Sequence, residues 1–134
     1  MPGIVIDTQI AVWYFENSSK LSNPARHAFD DAVNNGERII LATISIVEII
    51  YLVEKGRLVK ETLERLFDGL KLPDSSFRTQ ALTAGIAETL SEIPRSVVPD
   101  MPDRIIAATA LHLNLPLISS DGNIRKLDNI EIIW

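Results

Sequence analysis

Four acidic residues stand where an acid does more than face water. Asp7 follows the β-branched run Ile4-Val5-Ile6, and Asp121 is delivered by the short apolar run Leu117-Ile118-Ser119, so both lie at the end of a brief buried strand. Glu48 lies in ISIVEIIYLV, with apolar neighbours almost all round and Ile44 and Val47 sharing its helical face. A lone ionised carboxylate there is costly unless it is paired or bound to a cation. Asp103 opens a helix. Pro102 suits a first turn, and Asp100 three residues ahead of Asp103 resembles a capping box. Ile106, Ala107, Ala110 and Leu111 lie three, four, seven and eight positions further on, which sets the Asp103 carboxylate at the top of the inward face.

Each acid alone has an ordinary reading. Asp7 could cap the next helix, Asp103 could be a first-turn acid favoured by the helix dipole, Asp100 could be a cap, Asp121-Gly122 could be a turn, and Glu48 could be solvated at a helix edge or paired with Lys55. Together they suggest more. If they converge to about 4 Å, each pair repels by roughly 4 kcal/mol at an effective dielectric of 20. Protonation or a bound cation makes that bearable. With no cysteine and only two histidines, the ligands are oxygens, which points to Mg²⁺ or Mn²⁺ rather than zinc.

The elements that must position these acids follow from pattern. Ile4 to Ile6 is a strand, and a helix runs from Thr8 through Trp13, Tyr14 and Phe15 to a break at Asn17-Ser18-Ser19. Ser22 and Pro24 start a second helix that ends near Asn35-Gly36. Arg38 to Leu41 is a strand, after which Thr43 or Ser45 caps a helix running to Lys55 and stopped by Gly56. A helix over about Lys60 to Leu70 carries Leu63, Leu66, Phe67 and Leu70 on one face. Phe77 to Ala81 reads as a strand, Ala84 to Glu92 as a helix and Ile93 to Pro99 as a loop. The Asp103 helix stops at Asn114 and Pro116. A short turn or helix spans Asn123 to Leu127, and Glu131 to Trp134 is the last strand. Short apolar strands alternating with helices predict an α/β fold with a mostly parallel sheet covered on both faces. In such sheets ligands bind beyond the carboxyl ends of strands, where Asp7 and Asp121 sit.

Composition sets the outer bounds. The 134 residues, 46% hydrophobic, supply a core for one domain spanning 1–134. The longest apolar segment, Ile39 to Val53, is interrupted by Thr43, Ser45 and Glu48 and is too short for a bilayer. No secretion signal opens the chain. Cytoplasmic residence is therefore expected, with no membrane partner. A net charge of −5 argues against holding nucleic acid by bulk electrostatics. It leaves a metal-dependent phosphodiesterase open, because bound cations reverse the local sign of an acid cluster.

These residues carry a family resemblance. Asp7-Thr8 after the first strand, Glu48 in ISIVEII, Asp103 in PDRIIAATALHL and Asp121 after LPLISS resemble the PIN-domain family, and in length and layout its VapC-type toxin ribonucleases. The resemblance extends over essentially the whole chain. It implies a three-layer α/β/α sandwich with a central mostly parallel sheet, Mg²⁺- or Mn²⁺-dependent cleavage of RNA, a cognate antitoxin and a homodimer. Asp7, Glu48, Asp103 and Asp121 match the family's acidic quartet, Asp100 an accessory acid, and Thr8 and Ser119 small hydroxyl residues beside the site. In one departure, Met101 rather than proline follows Asp100.

Such a site suits metal-assisted phosphodiester hydrolysis, with Asp7 and Asp103 as principal ligands and Glu48 and Asp121 completing the cage or orienting water. Arg104, Arg125 and Lys126 are candidates for RNA phosphates, and Thr8 and Ser119 are weaker candidates for substrate contact. His27 and His112 read as ordinary helix or surface residues, and the aromatic run at 13–15 as core or interface. An aspartate-based phosphotransferase would want an acid where Gln9 stands. A non-catalytic module whose acid pocket receives a basic peptide is the remaining alternative.

Overall fold

The structure, a computed structural model, describes residues 2–134. Five strands form one sheet in the order β3-β2-β1-β4-β5, with every neighbouring pair parallel. The strands are β1 (Gly3–Ile6), β2 (Arg38–Ala42), β3 (Phe77–Gln80), β4 (Leu117–Ile118) and β5 (Ile132–Ile133). The helices are α1 (Thr8–Phe15), α2 (Asn23–Asn34), α3 (Thr43–Glu54), α4 (Lys60–Lys71), α5 (Ala84–Thr89) and α6 (Met101–Leu113).

Strand periodicity explains the layering. Successive side chains point to opposite faces, so β1 sends Ile4 and Ile6 one way and Val5 the other, while β2 sends Ile39 and Leu41 one way and Ile40 and Ala42 the other. The first set joins Ile10, Phe29, Ile49 and Leu66 in one core. The second joins Ile86, Ile93, Ile106, Ala107 and Ala110 in another. The sheet is thus buried on both faces, as a parallel sheet requires, and the three-layer α/β/α expectation is met. Among the described residues no helix is long and apolar enough to cross a membrane.

Most element ends fall where turn chemistry puts them. Ser22 caps α2 through its hydroxyl, and α6 ends on Asn114 in the left-handed conformation, φ 56°. Gly56 (φ 73°) follows α3. Three expectations need correction. Neither Thr43 nor Ser45 caps α3: the N-cap is Ala42, without a side-chain cap, because β2 runs directly into the helix and the Ser45 hydroxyl is used elsewhere. The segment 84–92 divides into α5 and a 3-10 turn at Leu90–Glu92. The last strand narrows to Ile132–Ile133. The aromatic run is half-buried and packs against the core: Trp13 lies against Trp134, and Tyr14 stacks on Phe29 and meets Phe77.

The topology positions the site. From β1 the chain moves outward through β2 and β3, then returns to the other side of β1 for β4 and β5, so the strand order reverses between β1 and β4. That boundary is the usual crevice of an open parallel sheet. The close pairing of β1 with β2 depends on Gly3, where a Cβ would stand 2.5 Å from the Arg38 carbonyl oxygen. Gly3→Ala should therefore lower unfolding free energy by about 1–3 kcal/mol, the usual cost of overpacking. A denaturant midpoint equal to that of the unaltered protein would show that the two strands part without strain.

Candidate active site

Each acid reaches the crevice from a different element. Asp7, 4% exposed, caps α1 as β1 ends. Its Oδ1 accepts from the Ile10 amide at 3.0 Å, and its Oδ2 accepts from the Ser119 hydroxyl. Glu48 projects from the middle of α3, half-buried, and Oε1 accepts from the Thr8 hydroxyl at 2.5 Å. Asp103 sits in the first turn of α6, its amide donating to Asp100 Oδ2 at 3.1 Å. Asp121 follows β4, with Oδ1 accepting from the amides of Asn123 and Ile124 at 2.9 Å each. All four line one cleft of about 310 Å³, together with Thr8, Gln9, Leu52 and Ser120.

Ser119 is corrected as a substrate contact: it is closed off from the cleft and ties two of the acids together. Fully buried, it donates to Asp7 and accepts from the Asp121 amide at 3.1 Å, linking the ends of β1 and β4. Asp103 is the exception among the four: among the described residues its carboxylate has no hydrogen-bond donor.

The electrostatics are those of an acid cluster without a counterion. Burial pushes the Asp7 carboxyl up to about 6 against the hydrogen bonds from Ser119 and Ile10, and the charges of Asp121 and Glu48 add to the rise. Asp103 is pushed up to about 7, by burial first and then by Asp100, Asp121, Asp7 and Glu48. Glu48 is also raised, by burial and by Asp100, against the Thr8 hydrogen bond. Among the described residues no Lys, Arg or His makes an ion pair with any of the four. Nor are three acids or histidines already gathered into a metal cage. The donor set is all oxygen, which fits a hard divalent cation in kind, and the side chains must draw inward to share one.

The remaining candidates divide. Asp100 is exposed and caps α6, and its charge acts on Asp103 and Glu48. Thr8 lines the cleft and holds Glu48. Arg104 is corrected: its guanidinium donates to the Ile93 carbonyl through Nε and Nη2 and to the Leu90 carbonyl through Nη2, so it fastens the preceding loop to α6. Arg125 and Lys126 are exposed on the 3-10 turn Ile124–Lys126, outside the cleft lining. His27 and His112 are exposed and do not line it. Lys55 stands 6.0 Å over the Tyr51 ring rather than on Glu48. Sequence reasoning missed Ser45, whose hydroxyl reaches Thr8. Its position one turn before Glu48 on the same helical face was the available signal.

Residues 4–130 match the PIN domain. The chain belongs to the PIN-domain family. Over 126 residues it is 27% identical to Ribonuclease VapC22 of Mycobacterium tuberculosis (strain ATCC 25618 / H37Rv), covering 94% of this chain and 92% of that protein. This PIN fold also superposes on VapBC2 of Rickettsia felis bound to a promoter DNA fragment, with TM-score 0.72, 16% identity and 96% of each chain covered. DNA-bound VapBC of Salmonella typhimurium gives TM-score 0.69 at 17% identity, covering 98% and 97%.

The raised carboxyls fix a pH dependence for the metal-free PIN domain. Between pH 3.8 and about 6 for Asp7, and 3.8 and about 7 for Asp103, the folded protein keeps protons that the unfolded chain has released, so stability falls as pH rises through that window. Buried Asp7 contributes about 3 kcal/mol, and half-exposed Asp103 a smaller, solvent-screened amount. Urea midpoints in chelator should drop from pH 5 to pH 8, and Asp103→Asn should be the more stable protein at pH 8. A midpoint that climbs across the window would contradict the charge crowding.

Proposed function

We propose that this chain is a divalent-metal-dependent endoribonuclease, hydrolysing RNA phosphodiesters as the toxin of a toxin–antitoxin pair. The observation that carries the reading is the single cleft lined by Asp7, Glu48, Asp103 and Asp121, supplied by four separate elements, with no protein cation among the described residues to neutralise them. The ribonuclease name of the mycobacterial relative and the VapBC likeness of the fold support it.

In this reading Asp7 and Asp103 are the principal metal ligands, with Glu48 and Asp121 completing the oxygen set. Mg²⁺ or Mn²⁺ held there would supply acidified water and charge neutralisation at the scissile phosphate. The chain's own residues do the orienting. Ser119 fixes the Asp7 carboxylate, the amides of Asn123 and Ile124 fix Asp121, and Thr8 fixes Glu48, leaving Asp103 free to turn toward the ion. Arg125 and Lys126, exposed next to Asp121, are the basic groups offered to RNA phosphates outside the cleft.

The partner reading follows from the neighbouring surface. An apolar groove of about 380 Å³ lined by Ile44, Val47, Tyr51 and Met101 shares Glu48 and Leu52 with the acid cleft. A cognate antitoxin would lay apolar side chains along it and reach a basic group into the acids, replacing the ion. A homodimer of this single-domain chain, 1–134, in the cytoplasm completes the proposal.

Purified, partner-free protein incubated with a panel of RNAs should cleave at least one in Mg²⁺ or Mn²⁺ and none in chelator. Asp103→Asn should lose on the order of 100-fold or more of that activity. Equal cleavage by both proteins would mark a contaminant and remove the assignment.

A further inference from the structure

With the cleft read as a metal site, as proposed above, one residue that does not line it still bears on it. Ser45 is fully buried in α3, one turn before Glu48. Its hydroxyl oxygen lies 2.9 Å from Thr8 Oγ1, and Thr8 Oγ1 lies 2.5 Å from Glu48 Oε1. A hydroxyl has one proton to donate, and an ionised carboxylate only accepts. Thr8 therefore gives its proton to Glu48, and Ser45 must give its own to Thr8. The three groups form a single file, Ser45 to Thr8 to Glu48, that crosses from α3 to the first turn of α1 and back.

The file has a direction and a geometric result. The Thr8 bond on Oε1 fixes the turn of the Glu48 carboxylate and leaves Oε2 without a donor among the described residues, so Oε2 is the oxygen with its full acceptor capacity for the cleft. Ser45 keeps the Thr8 hydroxyl turned so that its proton faces Glu48 rather than water, as charge-assisted hydrogen bonds in a chain support one another.

We propose that Ser45, acting through Thr8, is a positioning residue that sets which carboxylate oxygen Glu48 presents to a divalent ion. Partners of this outer kind are worth about 10–100-fold in metal affinity.

The test is calorimetric Mn²⁺ binding by RNA-free protein. Thr8→Val and Ser45→Ala should each weaken binding by about 10-fold or more, and Thr8→Ser, which keeps the hydroxyl, should bind like the unaltered chain. Because the groups act in series, Ser45→Ala added to Thr8→Val should weaken binding no further, whereas independent packing losses would add. If Ser45→Ala does not fold, the half-buried Thr8 pair, Val against Ser, carries the comparison alone. Unchanged affinity in Thr8→Val, or full additivity in the double variant, overturns the file while leaving the ribonuclease reading intact. Absence of Mn²⁺ binding by the unaltered chain overturns both.

Discussion

Repulsion between carboxylates is the constraint that organises this end of the molecule. Four acids cannot be brought to one cleft by a single flexible loop, because a loop would relax the crowding by moving. Here each is set on a different element, and three have an oxygen already committed: Asp7 to Ile10 and Ser119, Asp121 to the amides after it, Glu48 to Thr8. Those hydrogen bonds hold the side chains against their mutual field, and the doubly covered sheet beneath them prevents the strand ends from drifting apart.

The same field admits more than one remedy. Protons are one, as the raised Asp7 and Asp103 show. A divalent ion is a second, and a basic side chain from a partner would be a third. These remedies compete for one cleft, so whatever neutralises the acids most completely excludes the others, and the proposed antitoxin would need no separate regulatory site. The mostly apolar groove beside Glu48, which Lys55 also lines, shares Glu48 and Leu52 with the acid cleft, so a group seated there would lie next to the acids.

How much was legible in the sequence depends on whether the information was local. Ile4-Val5-Ile6 before Asp7 and the helical spacing after Asp103 state both an element and a direction, and the structure follows them. The acid at a strand end and the acid at a helix start could be read as facing one crevice because parallel topology makes that nearly unavoidable. Side-chain partners across elements are different. Ser45 reads as a helix cap and Arg104 as a phosphate ligand from their neighbours alone, yet one is turned to Thr8 and the other to the carbonyls of Leu90 and Ile93. Nothing in a linear pattern encodes which distant carbonyl lacks a donor. The 3-10 ending of 84–92 is local in form, the Ile93 amide bonding to the carbonyl of Leu90 three residues back, while the use of that carbonyl by Arg104 as well is a distant contact.

Arg104 also explains why Asp103 can be the one of the four cleft carboxylates without a donor among the described residues. The start of α6 is fixed by the Asp100 cap on the Asp103 amide and by the guanidinium that clamps the preceding loop. The backbone of Asp103 is thus held firmly while its carboxylate is not. In the proposed metal site, a ligand set with every oxygen pinned would have to match an incoming ion from the outset, whereas one free carboxylate on a fixed backbone would close the remaining gap by rotation about its side-chain bonds. That rotation costs far less than moving a helix packed through Ile106, Ala107 and Ala110 into the core. In the proposed metal site the adjustable carboxylate would thus stand on a helix held by its core packing.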